Sequence, residues 1–125
     1  MSLWHPMRLA QILAYDDTRV SAGSTEEEKK YARISTRGAG IGFSALRIIV
    51  SLWTSSAASP AYARIYIDDE TTPRAEFTST STAEEIKERI ISILDLAPGI
   101  HTVRLKLQSL GATAYSELFE IWGVI

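Results

Sequence analysis

Short runs in which apolar residues alternate with polar or aromatic ones recur along the chain, separated by clusters of Gly, Pro, Ser, Thr or charged residues. Successive side chains of a β-strand point to opposite faces, so this period of two is typical of half-buried strands. The pattern predicts eight strands, over residues 7–15, 29–36, 44–55, 61–69, 74–81, 87–96, 102–108 and 114–125.

Two of these runs differ from simple alternation. Residues 44–55, SALRIIVSLWTS, are apolar on both parities, which predicts a central strand covered on both faces. Residues 74–81, RAEFTSTS, are rich in Ser and Thr, which suits an exposed edge strand.

The stretch STAEEIKERIISILDL, residues 81–96, supports two interpretations. Ser81 or Thr82 followed by Glu84 or Glu85 resembles a capping box, and its isoleucines also follow helical spacing. The β-branched residues at 90–93 and the turn that begins at Pro98 favour a strand over 87–96 instead. We predict the strand, with a helix over about 82–96 as the alternative.

Many short strands joined by turns are typical of two packed antiparallel sheets. The sequence therefore predicts an all-β fold, an antiparallel β-sandwich formed by a single domain over 1–125. The alternative is an α+β fold that contains the helix at 82–96.

Charge and composition exclude several classes of function. The chain has 13 Lys and Arg against 15 Asp and Glu, with no basic cluster, so we expect no nucleic-acid partner. No apolar run is long enough for a membrane span, and the first residues lack the pattern of a signal peptide. There is no Cys and no Asn, and Gln occurs only at 11 and 108, as expected of a protein from a hot habitat.

Residues 94–125, LDLAPGIHTVRLKLQSLGATAYSELFEIWGVI, resemble the closing hairpin of jelly-roll carbohydrate-binding modules and of β-sandwich domains in phage and viral appendages. The resemblance covers about a quarter of the chain and implies a jelly-roll-like sandwich, without implying a ligand. Together with the composition, it is similar to what we expect of an orphan protein from a virus of a thermophilic archaeon, and hence of a virion component.

Histidine chemistry has little support. The chain has only His5 and His101, no His-x-His motif for a cupin-type metal site and no Gly-x-Ser-x-Gly elbow for a hydrolase. The glycines of RGAGIG, residues 37–42, lack the rest of a phosphate-binding motif and predict a turn or bulge. His101 shares its parity with Val103, so we expect a neutral imidazole that faces the interior and bonds a turn backbone group.

Carboxylates cluster at two strand ends, as Asp16 with Asp17 and as Asp68, Asp69 and Glu70. Such oxygen ligands suit a hard cation, and the second cluster is a weak candidate metal site. Solvated strand ends are the simpler interpretation, and we predict no cofactor.

Aromatic residues give the best candidate binding surface. On strand 61–69 the face opposite the core carries Tyr62, Arg64, Tyr66 and Asp68, which could stack a sugar or anchor a protein. Trp122 belongs to an apolar last segment that is expected to join a sheet or a neighbouring subunit.

Three classes of function follow. We favour a non-catalytic structural or assembly protein, such as a virus-particle component that forms homo-oligomers or binds another virion protein. A carbohydrate-binding module with a glycan partner is the alternative. The third is a small hydrolase that uses His101 or the acidic strand ends.

Overall fold

A computed structural model of the chain describes residues 10–36 and 42–125. It contains ten β-strands and, within those residues, no helix. They are β1 (Ala10–Asp16), β2 (Val20–Ala22), β3 (Glu27–Ser35), β4 (Ala45–Thr54), β5 (Ala61–Ile67), β6 (Ala75–Ser79), β7 (Glu85–Ser92), β8 (Ile100–Gln108), β9 (Ala114–Ser116) and β10 (Phe119–Val124).

The first sheet has six strands, and β4 lies at its centre. One side of β4 pairs with β7, and the other pairs with β10 and then with β9. The short strands β9 and β10 run end to end, and β2 and β1 pair with them along the outer edge. This sheet is therefore four strands wide, in the order β1/β2, β10/β9, β4, β7.

The second sheet has four antiparallel strands in the order β3, β8, β5, β6. From β2 onward, every step along the chain passes from one sheet to the other, except β5 to β6 and β9 to β10. Two four-strand-wide sheets connected in this way form a jelly roll. The predicted antiparallel sandwich is confirmed, with the eighth predicted strand divided into β9 and β10 and the short strand β2 added.

The core lies between the sheets and consists of alternate residues of the long strands, as the period of two predicts. On β5, Ala61, Ala63, Ile65 and Ile67 are fully buried, which confirms their predicted face. They meet residues of the opposite sheet and of β8 that are also buried: Leu46, Ile48, Val50, Leu52, Val103, Leu105, Leu107, Phe119 and Ile121.

One charged side chain crosses between the sheets. Lys30 of β3 is only 3% exposed, and its ammonium donates to the backbone oxygens of Asp16 and Glu117 and to the Asp16 carboxylate. These acceptors lie at the end of β1 and at the junction of β9 and β10. The ammonium therefore ties the second sheet to the first.

The structure decides between strand and helix for residues 81–96. Residues 85–92 form β7, which pairs with β4 from Leu52 to Ala45, so the helix alternative is wrong. The strand also begins and ends two to four residues earlier than predicted, because the backbone turns away after Ser92. Hydrogen bonding along β4 outweighs the local helical spacing.

The predicted coverage of β4 needs a correction. Its core parity is buried, but Arg47, Ile49 and Trp53 on the other parity are half-exposed on the outer face of the sheet. The apolar residues of β4 therefore belong to two different surfaces, one in the core and one on the outer face of the sheet. Of the other predicted features, His5, residues 7–9 and Gly38 and Gly40 lie outside the described residues.

Candidate interaction surface

The structure places Tyr62, Arg64 and Tyr66 on the outward-facing parity of β5 in the four-stranded sheet, whereas Asp68 follows the strand with a positive φ and binds His101 instead. We call the outer face of this sheet the charged face. The Arg64 guanidinium lies 2.6 Å from Glu76 and 2.8 Å from Glu26, and its centre is 5.0 Å from the Tyr62 ring. These ion pairs satisfy the guanidinium within the sheet.

Tyr66 is not an open aromatic platform. It is 5% exposed, its hydroxyl contacts both carboxylate oxygens of Glu26, and the ammonium of Lys106 lies 4.5 Å from its ring centre. Burial raises the pKa of Tyr66, and the hydrogen bond to Glu26 raises it further. A ligand that stacks on this ring would first have to displace Lys106.

Tyr62 remains half-exposed beside a shallow hollow of about 260 Å³ between two loops. The hollow is lined by Ala58, Ser59, Pro60, Tyr62, Leu110 and Gly111. It is slightly smaller than the usual range for small-molecule sites, about 300–1,000 Å³.

The acidic residues after β5 have different partners. Asp68 accepts hydrogen bonds from His101 and from the backbone N–H of Thr102, whereas Glu70 binds the guanidinium of Arg74. Burial opposes ionisation of Asp68, but these hydrogen bonds keep the pKa of its carboxyl below the ordinary value. Within residues 10–36 and 42–125, no three His, Asp or Glu side chains are grouped closely enough to hold a metal ion, so the structure does not assemble the candidate site of Asp68, Asp69 and Glu70.

His101 differs from the expected neutral imidazole. Its Nδ1 lies 2.5 Å from Asp68 Oδ2, and its Nε2 lies 2.7 Å from the carbonyl oxygen of Ala97. Both partners accept, so the doubly protonated ring fits both contacts. The hydrogen bond to Asp68 and then that to Ala97 raise the pKa of His101. Neither ring nitrogen is free to act as a catalytic base in this geometry.

The outer face of the six-stranded sheet is very different from the charged face, and we call it the apolar face. One row across the sheet, set by strand register, is Ile12, Trp122, Arg47 and Ile90, and the next row is Tyr15, Glu120, Ile49 and Glu88. Ile12 is 46% exposed, and Ile86 and Ile90 are each 58% exposed. The sheet therefore presents large apolar side chains from several strands to solvent.

The polar groups within the apolar face bind one another. Arg47 lies 2.5 Å from the carboxylate of Glu88, and this hydrogen bond lowers the pKa of Glu88. The indole N–H of Trp122 donates to Glu120 at 2.9 Å. A partner could cover the Arg47–Glu88 pair without leaving either of these two charges unpaired, which is the costly outcome at an interface.

An aromatic pair extends the apolar face toward β9. The rings of Trp53 and Tyr115 stack with their centres 5.4 Å apart, and the Arg19 guanidinium covers Trp53 at 5.2 Å. Of this whole surface, sequence reasoning selected only Trp122 as a site. The other residues of the apolar face could have been found from the apolar residues at the outward-facing positions of β4.

The fold and these two faces define a jelly-roll β-sandwich with one charge-paired face and one apolar face. Solved structures with a similar fold come from infectious bursal disease virus. A chain in the structure of the Gt strain matches with a TM-score of 0.55 at 14% identity, over 92% of this chain and 32% of that one. A chain from the Gx strain matches with a TM-score of 0.54 at 16% identity, over 93% and 32%.

At these identities the likeness concerns the fold alone, and the chain spans about a third of the length of those viral chains. No protein-family model matches the sequence, and no curated protein matches it. Over the part of the chain that is described, the structure has no helix long and apolar enough to cross a membrane.

Proposed function

We propose that this chain is a non-enzymatic structural subunit of a virus particle, which assembles with further copies of itself through the apolar face. The observation that carries the proposal is the contrast between the two outer faces. On one, charged side chains pair with each other, and on the other, large apolar side chains of β1 and β7 are exposed beside half-exposed ones of β4 and β10.

Two further observations support the proposal. Monomeric proteins seldom expose extended apolar patches, whereas interface cores are apolar and rich in aromatic residues. The likeness of the fold to chains of a virus adds a second, independent reason to look for a role in a particle.

The test compares two variants with the same substitution at nearly equal exposure. Ile90→Glu places a carboxylate in the apolar face, at a residue that is 58% exposed, and Ile100→Glu places one on the other sheet, at a residue that is 59% exposed. Light scattering should show a defined oligomer for the wild type and for Ile100→Glu. Ile90→Glu should shift the population toward monomers by at least about tenfold in dissociation constant, as expected when a charge is buried at an interface.

A wild-type chain that stays monomeric at millimolar concentration would overturn the proposal. An oligomer that both variants weaken equally would also count against the apolar face. Circular dichroism of each variant shows that the fold is retained.

The finer elements of the proposal have their own support. For an origin in a virus of a thermophilic archaeon, the absence of Cys and Asn supports the hot habitat, and an unfolding midpoint above about 90 °C is the expected result. Sugar binding is a second candidate, favoured by half-exposed Tyr62 beside the hollow. It requires a glycan array signal that Tyr62→Ala abolishes.

A further inference from the structure

We propose that strand β1 pairs with β1 of a second copy, so that the six-stranded sheets of two subunits become continuous. The inference rests on the proposed assembly role and adds a second contact to it. One self-complementary patch closes a dimer, whereas a shell needs at least two different contacts on each subunit. No described residue pairs with the outer edge of β1.

The first argument comes from charge along the sheet edges. Proteins protect exposed edge strands with charged residues, because unpaired backbone groups there accept another strand. Edge strands β3, β6 and β7 all carry charged residues within the strand. Strand β1, AQILAYD, has none before Asp16, its last residue. Of the described edge strands with five or more residues, β1 alone has its charge only at the end of the strand.

The second argument comes from the faces of β1. A bulge between Ile12 and Ala14 shifts the register against β10, so that Leu13 and Ala14 both pack against the core while Ile12 and Tyr15 are exposed on the apolar face. Suppose that two copies of β1 pair antiparallel with Ile12 of one copy opposite Tyr15 of the other. In this register the side chains on the apolar face of one strand lie opposite side chains on the apolar face of the other. Leu13 then lies opposite Ala14, and the two bulges face each other at the two-fold axis.

This register suits the side chains that it brings together. A β-branched residue and an aromatic ring on directly opposite positions form a favourable cross-strand pair. Gln11 lies opposite Asp16 of the other copy, so the carboxylate faces an amide instead of a second carboxylate. The apolar face also continues without a break from one subunit to the next, because Ile12 and Tyr15 belong to it.

The register can be tested by cross-linking, because the chain contains no cysteine. The double variant Ile12→Cys, Tyr15→Cys should give a covalent dimer under mild oxidation on a non-reducing gel. Within one chain these positions are three residues apart, about 10 Å along a strand, which is too far for a disulfide. The single variants Ile12→Cys and Tyr15→Cys are the controls and should remain largely uncross-linked.

The outcomes separate this inference from the proposed function. A covalent dimer from the double variant alone supports β1 pairing. A wild-type oligomer without this cross-link would overturn β1 pairing and leave the assembly role standing. A monomeric wild type would overturn both. Equal cross-linking of the double and single variants would show random collision and would also overturn the register.

Discussion

Lys30 offers the sharpest test of how the two sheets are held together. Its side chain is almost fully buried, and three oxygens from Asp16 and Glu117 surround the ammonium. The substitution Lys30→Met keeps an unbranched apolar stem in place and removes only the charge and its hydrogen bonds. The packing of β3 against β1 should therefore remain, which isolates the polar contribution.

The expected loss follows from the contacts. A hydrogen bond from a charged group contributes about 1.5–3 kcal/mol, and each buried acceptor left without a donor costs about 1–3 kcal/mol. The Asp16 carboxylate is half-exposed and can turn to water, so most of the loss arises at the two backbone oxygens. We expect the free energy of unfolding to fall by about 2–4 kcal/mol. For a domain of this size, that lowers the unfolding midpoint by about 8–16 °C.

Denaturant unfolding measures the change, with Lys29→Met as the matched control. Lys29 is the neighbouring residue, partly exposed and paired with Glu27, so its replacement should change the free energy of unfolding by less than about 0.5 kcal/mol. If Lys30→Met were as stable as the wild type, the ammonium would contribute nothing net, and its role as a link between the sheets would be refuted.

Two further predictions concern pH and packing. In the folded protein, the hydrogen bonds to Asp68 and Ala97 raise the pKa of His101 above its ordinary value of 6.5. The stabilisation from the His101–Asp68 pair is therefore complete below pH 6.5 and is lost as the pH rises through the pKa that His101 has in the folded protein. The unfolding midpoint should therefore decline as the pH rises above about 6.5, and His101→Gln should remove that slope, whereas an unchanged slope would contradict the pairing. In Gly123→Ala the new Cβ would lie 2.7 Å from the Phe43 ring, so calorimetry should show a loss of about 1–3 kcal/mol. Gly23→Ala, with nothing within 4 Å, is the control and should differ by less than about 0.5 kcal/mol, and equal losses in both variants would contradict the packing argument.

The architecture could largely be predicted from local patterns, because the alternation within each long strand shows which residues face the core and which face outward. The parity of residues 61–67 identified the core side of β5 correctly, since every second residue there is small or aliphatic. The three-residue strands β2 and β9 are too short for a period of two to be visible. For β7, the helical and strand patterns overlap, and only pairing with β4 decides between them.

The candidate interaction surface was harder to predict because it depends on register between distant residues. Ile12 and Trp122 form one row of the apolar face although 110 positions separate them, and no local pattern shows that they meet. Tyr66 shows the reverse case. Its parity was predicted correctly, but Lys106 and Glu26 from other parts of the chain cover its ring and hydroxyl.

The position of β10 between β1 and β4 has a consequence for how the protein folds during synthesis. Residues 119–124 leave the ribosome after all their pairing partners, and until then β1 has no neighbour along its length and one side of β4 is open. Nascent chains with unpaired strands are prone to associate wrongly. The first sheet can close only when its last strand inserts between two that are already present, so we expect productive folding to be slow, as non-local strand pairing requires.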